Sequence, residues 1–190
     1  MKEIVILGGA NGAGKTTAAQ VLLPQQLGII EFVNADEIAR GLSPFNAGGA
    51  AIAAGRLMIE RMRSLARDGQ SFAFETTCAG RGHVEFVRHL KENGWRAILL
   101  FLWLPSPQAA LGRVARRVAQ GGHPVPDAIV VRRYWAGLRN LHRLYLPLAD
   151  VATIYDNADG GRVLIAERKP QGSLVIHDRV RWQSIEEASA

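Results

Sequence analysis

Gly8-Gly9-Ala10-Asn11-Gly12-Ala13-Gly14-Lys15-Thr16-Thr17 decides the reading of this chain. The run fits G-x-x-x-x-G-K-[ST], with Gly9, Gly14, Lys15 and Thr16 at the fixed positions. Each fixed position has a physical task beside a polyphosphate. The glycines permit a tight loop whose backbone N–H groups turn inward toward anionic oxygens. Lys15 reaches the β- and γ-phosphates, and Thr16 offers a hydroxyl to Mg²⁺. A helix beginning near Gly14 aims the positive end of its dipole at the same anion. Gly9, Asn11, Gly12, Ala13, Gly14, Lys15, Thr16 and Thr17 are therefore the candidate nucleotide-binding set, with Thr16 as the candidate metal ligand. The cofactors implied are ATP and Mg²⁺.

The flanks agree with the motif. Glu3-Ile4-Val5-Ile6-Leu7 is a β-branched apolar run, the pattern of a buried parallel strand. Residues 17–23 read as a helix stopped by Pro24. Beyond it, strand and helix patterns alternate. A second strand covers 29–33 and leads into Asn34-Ala35-Asp36; a long helix covers 47–67. Phe72-Ala73-Phe74 is a short third strand ending in Glu75-Thr76-Thr77, and residues 82–92 form a helix. The apolar run 96–104 is the fourth and central strand, and Ser106 caps a helix with Pro107 in its first turn. After the loop His123-Pro124-Val125-Pro126, a helix runs from Asp127 to about Tyr145; a fifth strand covers 151–155 and ends in Asp156-Asn157, before Gly160-Gly161. Residues 162–167 and 173–177 flank Lys169-Pro170-Gln171-Gly172 as an appended hairpin, and a last helix uses Ser184-Ile185-Glu186-Glu187. The alternation predicts an α/β fold around a five-stranded parallel sheet, built as one domain over residues 1–190, with the hairpin and final helix at about 160–188.

Composition narrows the class. At 48% hydrophobic and 21% charged residues the chain is an ordinary globular protein and not a disordered one. Its longest apolar stretch, Ala97-Ile98-Leu99-Leu100-Phe101-Leu102-Trp103-Leu104, is too short to cross a bilayer. No signal peptide precedes the first strand, and a lone cysteine, Cys78, excludes an internal disulfide. The expectation is a cytoplasmic protein in which Cys78 is a small filler.

A net charge of +6 points to nucleic acid or to a polyphosphate ligand. The placement of the arginines decides between them. Arg113, Arg116 and Arg117 fall at i, i+3 and i+4 on one helix face, with Leu111, Val114 and Val118 available to pack on the other. Past the Gly121-Gly122-His123-Pro124 loop come Arg132, Arg133, Arg139 and Arg143. Two Arg-bearing helices around a Gly/Pro loop read as a lid over about 113–135 that neutralises a transferring phosphoryl group. Arg117 and Arg133 are the candidate catalytic arginines; Arg132 and His123 are candidate substrate contacts. No aromatic stripe interleaves with the basic residues, which argues against a single-strand stacking platform.

In an open α/β sheet ligands gather beyond the carboxyl ends of the strands, where several polar groups fall together. Asp36 either accepts a proton from an attacking hydroxyl or holds a water on Mg²⁺, and it can also cap the helix that follows. Glu75, with Thr76 beside it, either meets Mg²⁺ or a substrate hydroxyl, or forms an ion pair with an arginine. Asp156 and Asn157 either border the adenine, which makes Asn157 a candidate nucleotide contact, or form a turn. Arg81 joins Asp36, Glu75, Thr76, His123 and Arg132 as a candidate acceptor-side residue.

The phosphate loop, Val33-Asn34-Ala35-Asp36, Phe74-Glu75-Thr76-Thr77, the Arg-bearing helix before Gly121-Gly122-His123, and Tyr155-Asp156-Asn157 occur in an order that resembles the zeta-toxin-like P-loop kinases. The resemblance covers roughly residues 3–160. It implies a P-loop NTPase fold of the nucleoside-monophosphate-kinase type, a three-layer sandwich. It implies ATP- and Mg²⁺-dependent phosphorylation of the sugar 3′-hydroxyl of UDP-N-acetylglucosamine, and restraint by an antitoxin. By position, Asp36 matches the family's catalytic base, Lys15 and Thr16 its phosphate and Mg²⁺ groups, Glu75 and Thr76 its sugar-nucleotide contacts, and Arg117 its first lid arginine. The second lid position falls at His123, with Arg132 and Arg133 as the cationic candidates nearby. The functional expectation is an ATP-dependent small-molecule kinase. A nucleotide-dependent ATPase switch acting through a protein partner is the alternative, and a nucleic-acid-binding NTPase ranks below both.

Overall fold

In the computed structural model, which describes residues 1–158 and 161–189, strand and helix alternate from the start of the chain. β1 (Glu3–Gly9) leads through the phosphate loop into α1 (Lys15–Leu22), and β2 (Phe32–Val33) leads into α2 (Ala35–Leu42) and α3 (Ala51–Arg67). β3 (Phe72–Thr76) is followed by α4 (Gly82–Glu92), and β4 (Arg96–Trp103) by α5 (Pro107–Ala119) and α6 (Asp127–Asn140). A π turn (Leu141–Tyr145) and the short α7 (Leu146–Leu148) carry α6 on to β5 (Val151–Asp156). β6 (Val163–Arg168) and β7 (Leu174–Ile176) form the hairpin, and α8 (Arg179–Glu187) follows it.

Among the described residues the strands form one sheet in the order β2-β3-β1-β4-β5-β6-β7. β1 to β5 are parallel, as the sequence predicts. The hairpin pairs antiparallel along the β5 edge, so the sheet has seven strands and not five. β1 and β4 are buried along almost their whole length, which is why they read as unbroken apolar runs and not as alternation. Ile4, Ile6, Leu7, Phe72, Phe74, Leu99 and Leu102 are among the largest fully buried side chains, each contributing about 1.5–3 kcal/mol of hydrophobic stabilisation.

Several element boundaries differ from the sequence reading. Pro24 does not stop the first helix: it sits in the first turn of a π segment, Leu23–Leu27, which ends at Gly28 with φ 64°. The wider turn accommodates a proline ring that would clash with the preceding turn of an α-helix. β2 is two residues long, because Ile29 turns back to donate its N–H to Leu23 and Ile30 is exposed. α2 is capped by Asn34 and not by Asp36. α3 starts at Ala51, after turns over 43–50. α8 begins at Arg179, ahead of the Ser184 that the sequence suggests, and is capped by the Asp178 side chain. Val118 is exposed and does not share the packing face of Val114. Gly160, read as following a turn at Asp156-Asn157, lies outside the described residues.

The winding places the site. From β1 the chain builds β2 and β3 on one side and β4 and β5 on the other. A crevice therefore opens at the carboxyl ends beside β1, where such sheets hold ligands. The register sets Leu7 level with Glu75 and Gly9 level with Leu102, which brings the end of β3 alongside the phosphate loop.

Candidate active site

The phosphate loop needs glycine for two different reasons. Gly14 caps α1 at φ 82°, and a Cβ there would meet Asn157 Nδ2 at 2.7 Å. Gly9 has φ 142°, and a Cβ there would lie 2.4 Å from the Leu102 carbonyl oxygen of β4. Both residues therefore hold conformations and clearances that only glycine allows. Lys15 is 6% exposed; its Nζ donates to the Ala10 carbonyl at 2.8 Å and lies 3.5 Å from Glu75 Oε1. A lysine folded onto its own loop and a carboxylate is a cation held ready beside the α1 N-terminus.

Glu75 is the penultimate residue of β3 and has partners on both oxygens. Its Oε2 accepts the Thr16 hydroxyl at 2.7 Å and the Asn34 side-chain amide at 3.0 Å, while Oε1 faces Lys15. The ion pair weighed for Glu75 exists, with Lys15 as the partner and not an arginine. Asn34 also accepts the backbone N–H of Asp36 at 2.8 Å, which fixes the first turn of α2. Asp36 projects from that turn into the same cavity, and its carboxylate has no hydrogen-bond or ion-pair partner among the described residues.

The opposite wall is cationic. Arg113 donates to the Gly12 carbonyl at 3.5 Å and to the Ala158 carbonyl at 2.5 Å, tying α5 to the phosphate loop and to the exit of β5. Arg117 donates to the His123 carbonyl at 2.8 Å, and its buried Nε has no partner among the described residues. Arg133 reaches the cavity from α6. The cavity holds about 680 Å³. Among the described residues its lining carries six cationic side chains, Lys15, Arg40, Arg113, Arg116, Arg117 and Arg133, against the carboxylates of Asp36 and Glu75. An excess of positive charge in a cleft focuses the field on an anionic ligand.

Most of the sequence-predicted residues meet here. Asn11, Gly12, Gly14, Lys15, Thr16, Thr17, Asp36, Glu75, Thr76, Arg117 and Arg133 line the cavity. Gly9 and the fully buried Ala13 shape the loop from behind. Asn157 braces it, donating to the Ala13 carbonyl at 2.7 Å. Asp156 turns away: it accepts the Ala158 N–H at 2.9 Å and Arg181 Nε at 2.7 Å, pinning α8 to the end of β5. Arg81, Arg132 and His123 do not line the cavity. Arg81 is exposed at the start of α4 and Arg132 is exposed on α6, one residue and so about 100° around the helix from Arg133. His123 points its ring at Gly48, where a Cβ would come within 2.8 Å of the imidazole.

The sequence reading missed Asn34, Arg40 and His83, and passed over Arg113 and Arg116 as cavity residues. The N-x-D spacing of Asn34 and Asp36 was the available signal, since Asn before a helical run is a strong cap. His83 stacks on Phe74 with ring centroids 5.0 Å apart, and burial lowers its pKa from 6.5. Nothing in its neighbouring sequence marks it. Cys78 is fully buried, and burial pushes its thiol up to about 12 against the opposing influence of Lys15, which disfavours the nucleophilic thiolate.

The residues fit a nucleotide with a divalent cation. Thr16 gives its proton to Glu75, so its oxygen lone pairs are available to a cation. Asn11 Oδ1 is buried without a partner among the described residues, within the loop that would surround the phosphates.

Parallel sheet, glycine cradle, buried lysine and arginine wall together define a P-loop protein of the kinase-like, nucleotide-binding class. Within that class the chain belongs to the AAA domain family, whose family model matches residues 4–138. An uncharacterized protein of Haemophilus influenzae is 30% identical over 126 residues, which is 66% of this chain and 88% of that protein. The crystal structure of AvrRxo1-ORF1:-ORF2 with ATP matches with TM-score 0.80 at 18% identity, over 100% of this chain and 65% of that one, so this chain spans less than two thirds of its length. The PezAT toxin-antitoxin system of Streptococcus pneumoniae matches with TM-score 0.61 at 16% identity, over 98% and 85% of the two chains. Shikimate kinase from Acinetobacter baumannii, in complex with shikimate, matches with TM-score 0.51 at 20% identity, over 84% and 86%. At these identities the structural likeness concerns the fold. Among the described residues no helix is long and apolar enough to cross a membrane.

Proposed function

We propose that this protein is an ATP-dependent kinase that transfers the γ-phosphoryl group to a hydroxyl of a small molecule. The observation that carries the reading is that one cavity is lined both by an Asp36 carboxylate without a partner among the described residues and by the buried Lys15 of the phosphate loop. Lys15 and the α1 N-terminus hold the phosphates. Thr16, its proton directed to Glu75, together with Glu75 itself, would hold Mg²⁺, which when bound would offset charge between the β- and γ-phosphates. Asp36 orients an acceptor hydroxyl and takes its proton as the oxygen attacks phosphorus. Arg117 and Arg133 stabilise the charge that spreads over the phosphoryl oxygens, and closure of α5 and α6 over the cavity excludes water as a competing nucleophile.

For the acceptor, the reading takes a UDP-activated amino sugar, which the order of motifs along the chain suggests. A partner protein that restrains the enzyme belongs to the same proposal; two of the similar structures come from an ORF1:ORF2 complex and a toxin-antitoxin system. The test is incubation with Mg-ATP and a panel of UDP-sugars, free sugars and nucleosides, with products read by mass spectrometry. A phosphorylated product and acceptor-stimulated ATP consumption are expected. ATP consumption indifferent to every acceptor would instead favour a nucleotide-dependent switch.

A further inference from the structure

Asn34 is 6% exposed and uses both ends of its side-chain amide. Nδ2 donates to Glu75 Oε2 at 3.0 Å and lies 3.4 Å from Thr16 Oγ1. Oδ1 accepts the N–H of Asp36 at 2.8 Å. One planar group therefore spans the two carboxylates of the cavity: it touches the first directly and fixes the backbone of the second. Only an amide can do both. A carboxylate at this position would lack the donor and would repel Glu75, and an apolar residue would take one donor from Glu75 Oε2 and the acceptor from the Asp36 N–H.

Lys15 and Asn34 divide the work of holding Glu75. Lys15 faces Oε1 at 3.5 Å, while Thr16 and Asn34 both donate to Oε2. A lysine that swings to phosphate oxygens leaves Oε1, so Glu75 then depends on the Oε2 side alone. The Thr16 hydroxyl can present lone pairs to a cation only while its proton has an acceptor, and that acceptor is Glu75 Oε2.

Resting on the kinase reading of this cavity, we infer that Asn34 is a positioning residue. It keeps Glu75 on Thr16 when Lys15 turns to the nucleotide, and it ties the cation-binding end of the site to the Asp36-bearing helix. A group that orients a metal ligand in this way typically governs affinity for the metal by one to two orders of magnitude.

Asn34→Ser separates this role from a structural one. Serine still caps α2, so the melting temperature should remain within about 2 °C of wild type. It cannot reach Glu75. The readout is the affinity for the non-hydrolysable analogue AMP-PNP, measured by calorimetry with and without Mg²⁺. In the wild type Mg²⁺ should tighten binding; in Asn34→Ser that gain should shrink about tenfold, while Mg²⁺-free affinity changes little. Asn34→Ala removes cap and donor together and should lose both stability and the gain. A gain in Asn34→Ser equal to that of wild type would overturn the inference and leave the kinase reading standing. A wild type that binds no AMP-PNP with Mg²⁺ would overturn the kinase reading, and the inference with it.

Discussion

Asn157 donates its side-chain amide to the carbonyl of Ala13 at 2.7 Å, so the exit of β5 props the phosphate loop from behind. The Ala13 side chain is fully buried and its carbonyl lies in the middle of the glycine cradle. Asn157→Ala should leave that carbonyl short of a partner, at a cost of about 1–2 kcal/mol. AMP-PNP affinity should fall about fivefold to tenfold without a comparable loss of overall structure. Calorimetric titration beside a circular-dichroism melt checks both halves of this expectation.

Arg181 and Asp156 make the corresponding brace for the C-terminal helix. Asp156 is 6% exposed, so truncating its partner leaves a nearly buried carboxylate with one fewer donor. Arg181→Ala should lower the melting temperature, because Asp156 loses a donor and α8 loses its tie to the end of β5. Nucleotide affinity should be nearly unchanged, because Asn157 and not Asp156 touches the phosphate loop.

His83 and His142 set a direction for stability against pH. Burial lowers the pKa of His83 and of His142 from 6.5, with Glu186 opposing the shift at His142. Both are neutral in the folded chain at pH values where the unfolded chain already takes up protons. Their stabilisation is therefore complete above about pH 6.5 and is lost as pH falls below it. Urea midpoints should decline between pH 7.5 and 5.5, and His83→Gln should flatten part of that slope.

Cys78 supplies a check on burial. Its thiol is raised to about 12, and its Sγ would sit 2.8 Å from a Cβ placed at Gly8. Native protein at pH 8 should react with a thiol reagent orders of magnitude more slowly than the same chain in denaturant, where the pKa returns to about 8.5.

These expectations draw unequally on sequence. Ile4-Val5-Ile6-Leu7 and the run through Leu99 announced buried parallel strands because both faces of those strands are covered, so no alternation interrupts the apolar pattern. The phosphate loop was equally legible, because Gly9, Gly14, Lys15 and Thr16 are fixed by local backbone geometry at fixed spacing. Pairings across the sheet were not. That Glu75 meets Lys15 and Thr16, and not an arginine, depends on the register of β3 against β1, which no local pattern encodes. His83 and Arg40 enter the cavity through the packing of α4 and α2, and their neighbours in sequence carry no sign of it. Arg132 and Arg133 were indistinguishable by composition; the phase of α6 separates them. Pro24 misled for a related reason, since a π turn preserves a helix that proline would otherwise end.

The central claim is that Asp36 receives the proton of an acceptor hydroxyl while the phosphate loop presents the γ-phosphate. It is tested most directly by comparing wild type with Asp36→Asn in Mg-ATP and a small-molecule extract of cells. Phosphorylated hydroxyl products are read by mass spectrometry, and AMP-PNP affinity is measured on the same preparations. The account predicts nucleotide affinity within about threefold of wild type and a loss of product formation of roughly 10²–10⁴-fold. Product formed by Asp36→Asn at the wild-type rate would contradict it.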